Sequence, residues 1–118
     1  MPKTAPQETA PQQTAGQATV QTVLAALSDP MRRSALAIIW PGGEHCVCEL
    51  MERLGASQSR MSRHMKSLRE AGLVLDRRDA QWVRYRRNTD LSPALVAIVK
   101  AVLAAENGIS TDTERNAA

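Results

Sequence analysis

The feature of this sequence that most restricts its fold is a short break, Gly55-Ala56, between two segments with helical periodicity. The first segment covers about Cys48 to Leu54, and Gly55 can end it in a left-handed conformation. The second begins after Ser57, which is a good N-cap residue. Its apolar residues recur at i, i+4 and i+7 and are Met61, Met65 and Leu68. Two helices joined by so short a turn predict a helix-turn-helix.

Two further helices are predicted before this unit and one after it. The first has apolar residues at helical spacing from Val20 to Leu27. Asp29 can cap the second helix and Pro30 can open it, and that helix runs to about Trp40. The last helix is predicted from about Leu91 to Glu106. Its apolar stripe is longer than a small domain needs, so we expect it to pack on a second copy of the chain.

Between the fourth and the last helix, two strands are predicted around an arginine-rich turn. The segments Leu73 to Leu75 and Trp82 to Tyr85 are rich in strand-forming residues, and Arg77 to Gln81 lies between them. Strand geometry sends Arg84 and Arg86 to one face of the second strand. The predicted order is therefore four helices, two strands and a fifth helix. This is a mainly α-helical winged helix-turn-helix with a small β-hairpin, and we expect it to be dimeric.

The chain is long enough for one domain, which we expect between two polar tails. Residues 1–17 are mainly Pro, Thr, Gln and Ala and are predicted to be disordered; residues 18–106 form the domain, and residues 107–118 are predicted to be a flexible tail. No apolar run reaches the length of about 18 residues that spans a bilayer, and no secretion signal opens the chain. We therefore expect a cytoplasmic protein with no membrane contact. An enzyme is not expected, because no catalytic triad, carboxylate pair or phosphate-binding glycine loop is recognisable.

Positive charge is concentrated in the predicted helix-turn-helix and wing. Residues 57–87 contain nine Lys or Arg and three acidic residues, a net charge of +6, whereas the whole chain carries +3. This density favours phosphate, and short polar side chains beside arginine can reach base edges, so we predict binding to double-stranded DNA. The residues expected to contact DNA are Gln58, Ser59, Arg60, Ser62, Arg63, His64 and Lys66 on the helix and Arg77, Arg78, Arg84 and Arg86 on the wing. For His64 we expect helix packing or a phosphate-side position rather than a metal role.

The two cysteines of the chain, Cys46 and Cys48, are separated by a single valine. Cytoplasmic thiols stay reduced, so metal binding, redox sensing and plain burial are the roles open to the pair. The adjacent Glu44, His45 and Glu49 favour exposure of the thiols, and hence a role as ligands. In an ideal helix the two side chains point about 200° apart, since each residue turns the helix by about 100°. Both sulfurs can therefore bind one ion only if the backbone before Glu49 is extended or unwound.

From about Val23 to Ala105, roughly seven-tenths of the chain, the sequence resembles the ArsR/SmtB family of dimeric winged-helix repressors that sense metals. The matching strings are LSDPMRRSAL, HCVCELMERLGASQSRMSRHMKSLREAGLVLDRR and QWVRYR. The string CVCEL followed by SQSRMSRHMKSLREAGLV is specific enough to indicate the arsenical-responsive branch.

The resemblance implies a homodimer, joined through its first and last helices, that represses by binding a pseudo-palindromic operator. It also implies release when As(III) or Sb(III) binds Cys46 and Cys48, with no cofactor needed for DNA binding. The commonest arsenical motif of the family has a third cysteine where this chain has Met51, a weak thioether donor. The third position on the ion is open to hydroxide, a small cellular thiol, His45, Met51 or the carbon substituent of an organoarsenical.

Two other functions are compatible with the sequence. A DNA-binding protein of the same fold can use the two thiols to sense oxidants, or another soft ion such as Cd(II) or Cu(I). A protein-interaction module can instead present the basic face to an acidic partner. The zinc and cobalt sensors of the family are excluded, because they place His ligands on the last helix and this chain has no His after His64.

Overall fold

The structure is a computed structural model that describes residues 16–117, with side chains described as far as Glu106. The described helices are α1 (Val20–Leu27), α2 (Pro30–Ile39), α3 (Val47–Leu54), α4 (Gln58–Glu70) and α5 (Pro93–Ala117). The described strands are β1 (His45–Cys46), β2 (Val74–Asp79) and β3 (Trp82–Arg87). The predicted helical fold with a wing is confirmed, with one strand more than predicted. Residues 1–15 of the predicted N-terminal tail lie outside the described residues.

Side-chain caps explain why α2 and α4 begin where the sequence predicts. A carboxylate oxygen of Asp29 accepts a hydrogen bond from the Arg32 N–H at 3.0 Å. The hydroxyl of Ser57 accepts one from the Arg60 N–H at 3.2 Å. Gly55 ends α3 in the left-handed conformation, with φ +66°. These local signals hold α3 and α4 at the short turn of the helix-turn-helix.

The hairpin of β2 and β3 is longer than predicted. Its turn consists only of Ala80 and Gln81, and β2 extends as far as Asp79. Arg77 and Arg78 therefore lie within β2. The prediction that they belong to the turn was wrong. The polar sequence of β2 lacks the apolar pattern that predicts a strand. It is nevertheless a strand, because pairing with β3 satisfies the hydrogen bonds of its backbone groups.

Strand β1 was not predicted. It pairs with the second edge of β3 to complete an antiparallel sheet in the order β1-β3-β2. His45 lies opposite Tyr85 and Cys46 opposite Arg84. Two residues are too few to show the alternating pattern of a strand, so only the neighbouring β3 defines this one.

The core lies between the helices and the inner side of the sheet. The apolar stripe predicted on α4 is buried there, and each large apolar side chain contributes about 1.5–3 kcal/mol on burial. The largest fully buried side chains are Val23, Leu36, Ile39, Leu50, Met61, Met65, Leu68, Leu73, Val74 and Val99. The wing is held to this core through Arg87, whose guanidinium lies 4.6 Å from the ring centroid of Trp40 and donates to the Trp40 carbonyl at 3.1 Å.

Helix α5 continues past its predicted end. It runs from Pro93 to Ala117, whereas the sequence analysis ended it near Glu106. The extension contains no proline, and a glycine such as Gly108 inside a helix costs only about 1 kcal/mol, so no strong stop signal is present. The division into a tail of residues 1–17, a domain of residues 18–106 and a tail of residues 107–118 stays a prediction. No helix in the described part of the chain has the length and apolar character needed to cross a membrane.

We predict that the cap at Asp29 stabilises the fold in a pH-dependent way. Burial raises the pKa of Asp29, but the Arg32 N–H and the nearby His64 lower it more, so the pKa lies below the ordinary 3.8. Asp29→Ala should lower the free energy of unfolding by about 0.5–2 kcal/mol at neutral pH. The stabilisation is present above the unfolded-state pKa and is lost as the pH falls through the lower folded-state pKa.

Urea denaturation at one fixed protein concentration measures this effect. The difference between wild type and Asp29→Ala should shrink below about pH 4. Asp29→Asn is the control, because an amide oxygen still accepts the cap hydrogen bond and does not ionise. Equal stabilities of wild type and Asp29→Ala at neutral pH would contradict the capping role.

Candidate dithiol site and nucleic-acid interface

Cys46 and Cys48 lie at the junction of β1 and α3. Cys46 is the last residue of β1 and the N-cap of α3, with an extended backbone at φ −71° and ψ 145°. Cys48 follows within the first turn of α3. The two Cα atoms are 5.1 Å apart, and the two sulfurs are bonded to each other. The side chains converge because the backbone is extended at Cys46 and becomes helical only from Val47.

The bonded sulfurs differ from the reduced thiols that the sequence analysis expects. A disulfide requires Cα atoms about 4.4–6.8 Å apart, and the separation of 5.1 Å meets that requirement. The expectation of reduced thiols came from the predicted compartment, whereas the pairing follows from local backbone geometry. Two sulfurs that can bond to each other can, once reduced, also approach one ion from the same side.

The sulfur of Cys46 lies at the start of α3. It accepts a hydrogen bond from the Cys48 N–H, with the donor nitrogen 3.2 Å away. The unpaired N–H groups and the dipole at the start of a helix favour negative charge. Thiolate is the form of cysteine that binds soft ions and attacks oxidants. The start of α3 therefore places a backbone N–H donor beside the Cys46 sulfur.

The two thiols are less exposed than predicted. Cys46 is buried, with only 7% of its surface exposed, and Cys48 is partly buried. The polar neighbours Glu44, His45 and Glu49 suggested exposure, and for Cys46 that inference was wrong. Cys46 lies where β1 meets the first turn of α3, and its sulfur is bonded there to Cys48.

His45, a candidate third ligand, is occupied by other partners. Its Nδ1 lies 3.2 Å from Glu49 Oε1, and its Nε2 lies 3.0 Å from the Gly42 carbonyl oxygen. Glu49 also accepts a hydrogen bond from Arg53 at 3.0 Å. Burial raises the pKa of Glu49, but the hydrogen bonds from Arg53 and His45 lower it more. With both ring nitrogens engaged, His45 has no lone pair directed at the sulfurs.

Met51, the other candidate ligand from the protein, is a packing residue. It is partly buried and contacts the hydrophobic core. It follows Cys48 by three positions, which places both on one side of α3. Within the residues that the structure describes, no cluster of three or more His, Cys, Asp or Glu side chains is arranged to hold a metal ion. The protein groups that the fold brings together are the two sulfurs.

Helix α4 presents most of the predicted DNA-contacting residues on its exposed side. The exposed residues are Gln58, Ser59, Arg60, Arg63 and Lys66, and Ser62 is partly buried. His64 does not belong to this face. Its Nδ1 lies 4.0 Å from Asp29 Oδ1, and 14% of its side chain is exposed. His64 therefore packs α4 against the start of α2, as the helix-packing interpretation predicts.

On the wing, two of the predicted DNA-contacting arginines are paired with carboxylates. Arg77 donates to both carboxylate oxygens of Glu44, with Nε to Oε2 at 2.9 Å and Nη2 to Oε1 at 2.6 Å. This hydrogen-bonded pair lowers the pKa of Glu44 and raises that of Arg77. Arg84 donates from Nε to Asp79 Oδ2 at 2.7 Å. Of the other wing arginines, Arg78 is exposed and Arg86 is partly buried.

The sequence analysis did not anticipate the roles of Glu44 and Asp79. Glu44 was read only as a polar neighbour of the cysteines, because its partner lies 33 residues further along the chain. Asp79 is five residues from Arg84, across the hairpin turn. A longer predicted hairpin would have placed this second pair diagonally across the two strands. No local signal identifies the first pair.

Comparison with known proteins agrees with this arrangement. The family model for bacterial regulatory proteins of the arsR family matches residues 29–75, which include α2, α3 and α4. The arsenic resistance transcriptional regulator ArsR2 of Pseudomonas putida is 43% identical over 89 residues, which cover 75% of this chain and 77% of the relative. The arsenical resistance operon repressor of Escherichia coli is 44% identical over 71 residues, which cover 60% of this chain and 57% of the relative.

A solved structure supports the fold independently. The homodimeric winged helix-turn-helix DNA-binding domain of a Mycobacterium bovis protein matches with a TM-score of 0.61 and 22% identity, over 80% of this chain and 91% of that chain. At this identity the likeness concerns the fold alone. The family match and the length over which the relatives agree assign the sequence, and the chain is a member of the ArsR family of bacterial regulatory proteins.

Proposed function

We propose that the chain is a transcriptional repressor that binds operator DNA as a homodimer and is released when As(III) or Sb(III) binds Cys46 and Cys48. The observation that carries the proposal is the convergence of the two sulfurs at the start of α3, the first helix of the helix-turn-helix. Relatives named as arsenic resistance regulators and repressors support this class of inducer. The proposal makes the protein a cytoplasmic regulator and not an enzyme.

The chemistry of binding uses the two thiols in their reduced form. Each thiol gives its proton to a hydroxyl group on arsenic, which leaves as water as the arsenic–sulfur bond forms. Arsenite then keeps one hydroxyl group, which a small thiol can replace, and an organoarsenical keeps its carbon substituent. His45 is engaged by Glu49 and Gly42, and Met51 is partly buried against the core. The site therefore suits a complex with two protein thiolates.

Binding at this site acts on the DNA-reading helix through α3. An ion bound to Cys46 and Cys48 restrains the backbone at the start of α3, and α3 leads through Gly55 directly into α4. A change at the start of α3 therefore reorients the exposed face of α4. A coupling free energy of about 1–3 kcal/mol weakens operator binding by roughly 5- to 150-fold.

The DNA-bound form places α4 in the major groove and the wing beside it. The exposed side of α4 carries the polar and basic residues that can reach base edges and phosphates. The wing arginines Arg77, Arg78, Arg84 and Arg86 can bind phosphate, and for Arg77 and Arg84 the N–H groups involved are those that Glu44 and Asp79 occupy in the free protein. The operator is expected to be pseudo-palindromic, because a twofold dimer presents two equivalent α4 helices.

The homodimer is proposed to form through α1 and α5. On α1, Val20 and Leu24 are 55% and 50% exposed, although both are large and apolar. On α5, Val96, Ile98 and Val102 are only partly buried. Large apolar side chains left exposed or only partly buried on α1 and α5 favour a partner surface.

The disulfide favours oxidant sensing as a second candidate function. Oxidation by a peroxide removes two electrons and two protons from the two thiols, forms the sulfur–sulfur bond and yields two waters. The same junction of β1 and α3 then responds to redox conditions instead of an ion. A protein-interaction module with no affinity for DNA is distinguished from both by the absence of salt-dependent DNA binding.

We predict that Cys46→Ser and Cys48→Ser each keep the operator affinity of the wild type and lose its response to arsenite. A single remaining thiolate cannot form the complex with two thiolates. Arsenite, which should weaken operator binding of the wild type by roughly 5- to 150-fold, should therefore leave operator binding of each variant unchanged. Fluorescence anisotropy of a labelled promoter fragment at fixed salt measures both quantities. The protein is reduced with a phosphine, because dithiol reductants compete for arsenic.

The same assay compares arsenite, antimonite, methylarsenite, cadmium and hydrogen peroxide on the wild type. Release by peroxide alone would assign the site to oxidant sensing. If no arsenical or antimonial releases the DNA, the proposed inducer is wrong. Loss of operator binding by both serine variants would indicate that the cysteines are structural.

Removing basic side chains from the proposed interface should weaken DNA binding without changing arsenite affinity. In the proposed homodimer each substitution removes one phosphate contact from each protomer, so Arg63→Ala and Arg84→Ala should each reduce the slope of log affinity against log salt by about 1.8. Lys100→Ala is the matched control, because Lys100 is exposed on α5 and lies outside the proposed interface. Equal salt slopes for Arg63→Ala, Arg84→Ala and Lys100→Ala would contradict the placement of DNA on α4 and the wing.

A further inference from the structure

Glu44 lies between the dithiol site and the wing. It precedes Cys46 by two residues, and its two carboxylate oxygens accept hydrogen bonds from Arg77 at 2.6 and 2.9 Å. Both side chains are partly exposed, at 32% for Glu44 and 42% for Arg77. The pair therefore joins the segment that leads into β1 to the outer strand of the wing.

The contact occupies the groups that Arg77 would offer to DNA. A guanidinium presents its N–H groups as a fork, and this fork fits a carboxylate or a phosphate with two parallel hydrogen bonds. Nε and Nη2 of Arg77 are both directed at Glu44. Arg77 cannot make the same two bonds to DNA while it keeps this partner. A backbone phosphate has to displace the Glu44 carboxylate.

The sheet connects this pair to the cysteines. Arg84 of β3 pairs with Cys46 of β1 on one side and with Arg77 of β2 on the other. Cys46, Arg84 and Arg77 thus form one row across the three strands. A shift of β1 along β3 moves Glu44 relative to Arg77, because only His45 separates Glu44 from Cys46.

We propose that Glu44 transmits the state of the dithiol site to the wing by competing with DNA phosphate for Arg77. When the two sulfurs are held together, as they are here, β1 places the carboxylate on Arg77. When the sulfurs are free, β1 can shift and DNA phosphate takes the guanidinium. This inference rests on the proposed function and adds a path through the wing to the path through α3 and α4.

The second carboxylate of the wing provides an internal comparison. Asp79 holds Arg84 at 2.7 Å, so it also pairs with a predicted DNA-contacting arginine. Asp79 is at the end of β2 beside the hairpin turn, and its hydrogen bond goes to Arg84 rather than to the segment before the cysteines. Its charge also acts on Arg77, so Asp79→Asn controls for the loss of a negative charge near that guanidinium. Asp79→Asn removes the same charge from the same wing as Glu44→Gln. Only Glu44→Gln removes a carboxylate that belongs to the segment leading into the cysteines.

The experiment compares full-length wild type, Glu44→Gln and Asp79→Asn. For each, anisotropy with a promoter fragment yields the operator dissociation constant with and without arsenite, and their ratio is the release factor. Glu44→Gln should lower the release factor by about two- to five-fold, the range that exposed ion pairs cover. Asp79→Asn should keep the wild-type release factor. Equilibrium dialysis should show that Glu44→Gln still binds arsenite.

Three results would overturn the inference. The first is an unchanged release factor in Glu44→Gln. The second is an equal loss in Asp79→Asn, which would indicate a general charge effect. The third is a Glu44→Gln effect that persists when Arg77 is also replaced by Ala, because the path would then bypass Arg77. A wild-type release factor of one overturns the proposed function as well, whereas normal wild-type release with an unchanged Glu44→Gln overturns the role of Glu44 alone.

Discussion

Cys46 belongs to a strand and to a helix start at the same time, and the site depends on this dual position. Cys46 pairs with Arg84 in the sheet. Its sulfur accepts a hydrogen bond from the Cys48 N–H at the start of α3. The two sulfurs meet because the backbone changes from extended to helical between Cys46 and Val47. This dual position is the basis of our proposal that a ligand holding the sulfurs acts on the wing and on the helix-turn-helix together. A pair of cysteines inside a regular helix would lack this property.

In the proposed complex with DNA, two arginines of the wing exchange carboxylate partners for phosphate. Arg77 and Arg84 are not bare cations in the free protein, since Glu44 and Asp79 already bind them. Ion pairs of this exposure contribute little to stability, so phosphate can replace the carboxylates at small cost. The pairs instead change the free-energy difference between the free protein and the proposed DNA-bound state. A carboxylate next to a sensing site can therefore alter operator affinity without contacting DNA.

The helices were predictable because their signals are local. Asp29 and Ser57 cap helices through hydrogen bonds that span three residues, and the buried stripe of α4 follows helical spacing. The errors concern features with weak or distant signals. Strand β1 is too short for a pattern, β2 is polar, and α5 lacks a strong stop. The burial of Cys46 could not be inferred from its charged neighbours, because it depends on the strand and the helix that meet at this residue.

The sequence by itself determined the helix-turn-helix, the basic character of α4 and the wing, and the presence of two thiols at the start of α3. These properties depend on spacing, capping and composition within a few residues. Only the tertiary structure decided that the sulfurs converge, that His64 joins Asp29, and that Glu44 holds Arg77 across 33 residues. The physical reason is that strand register and ion pairing depend on how distant segments pack, and that packing leaves no periodic trace in the chain.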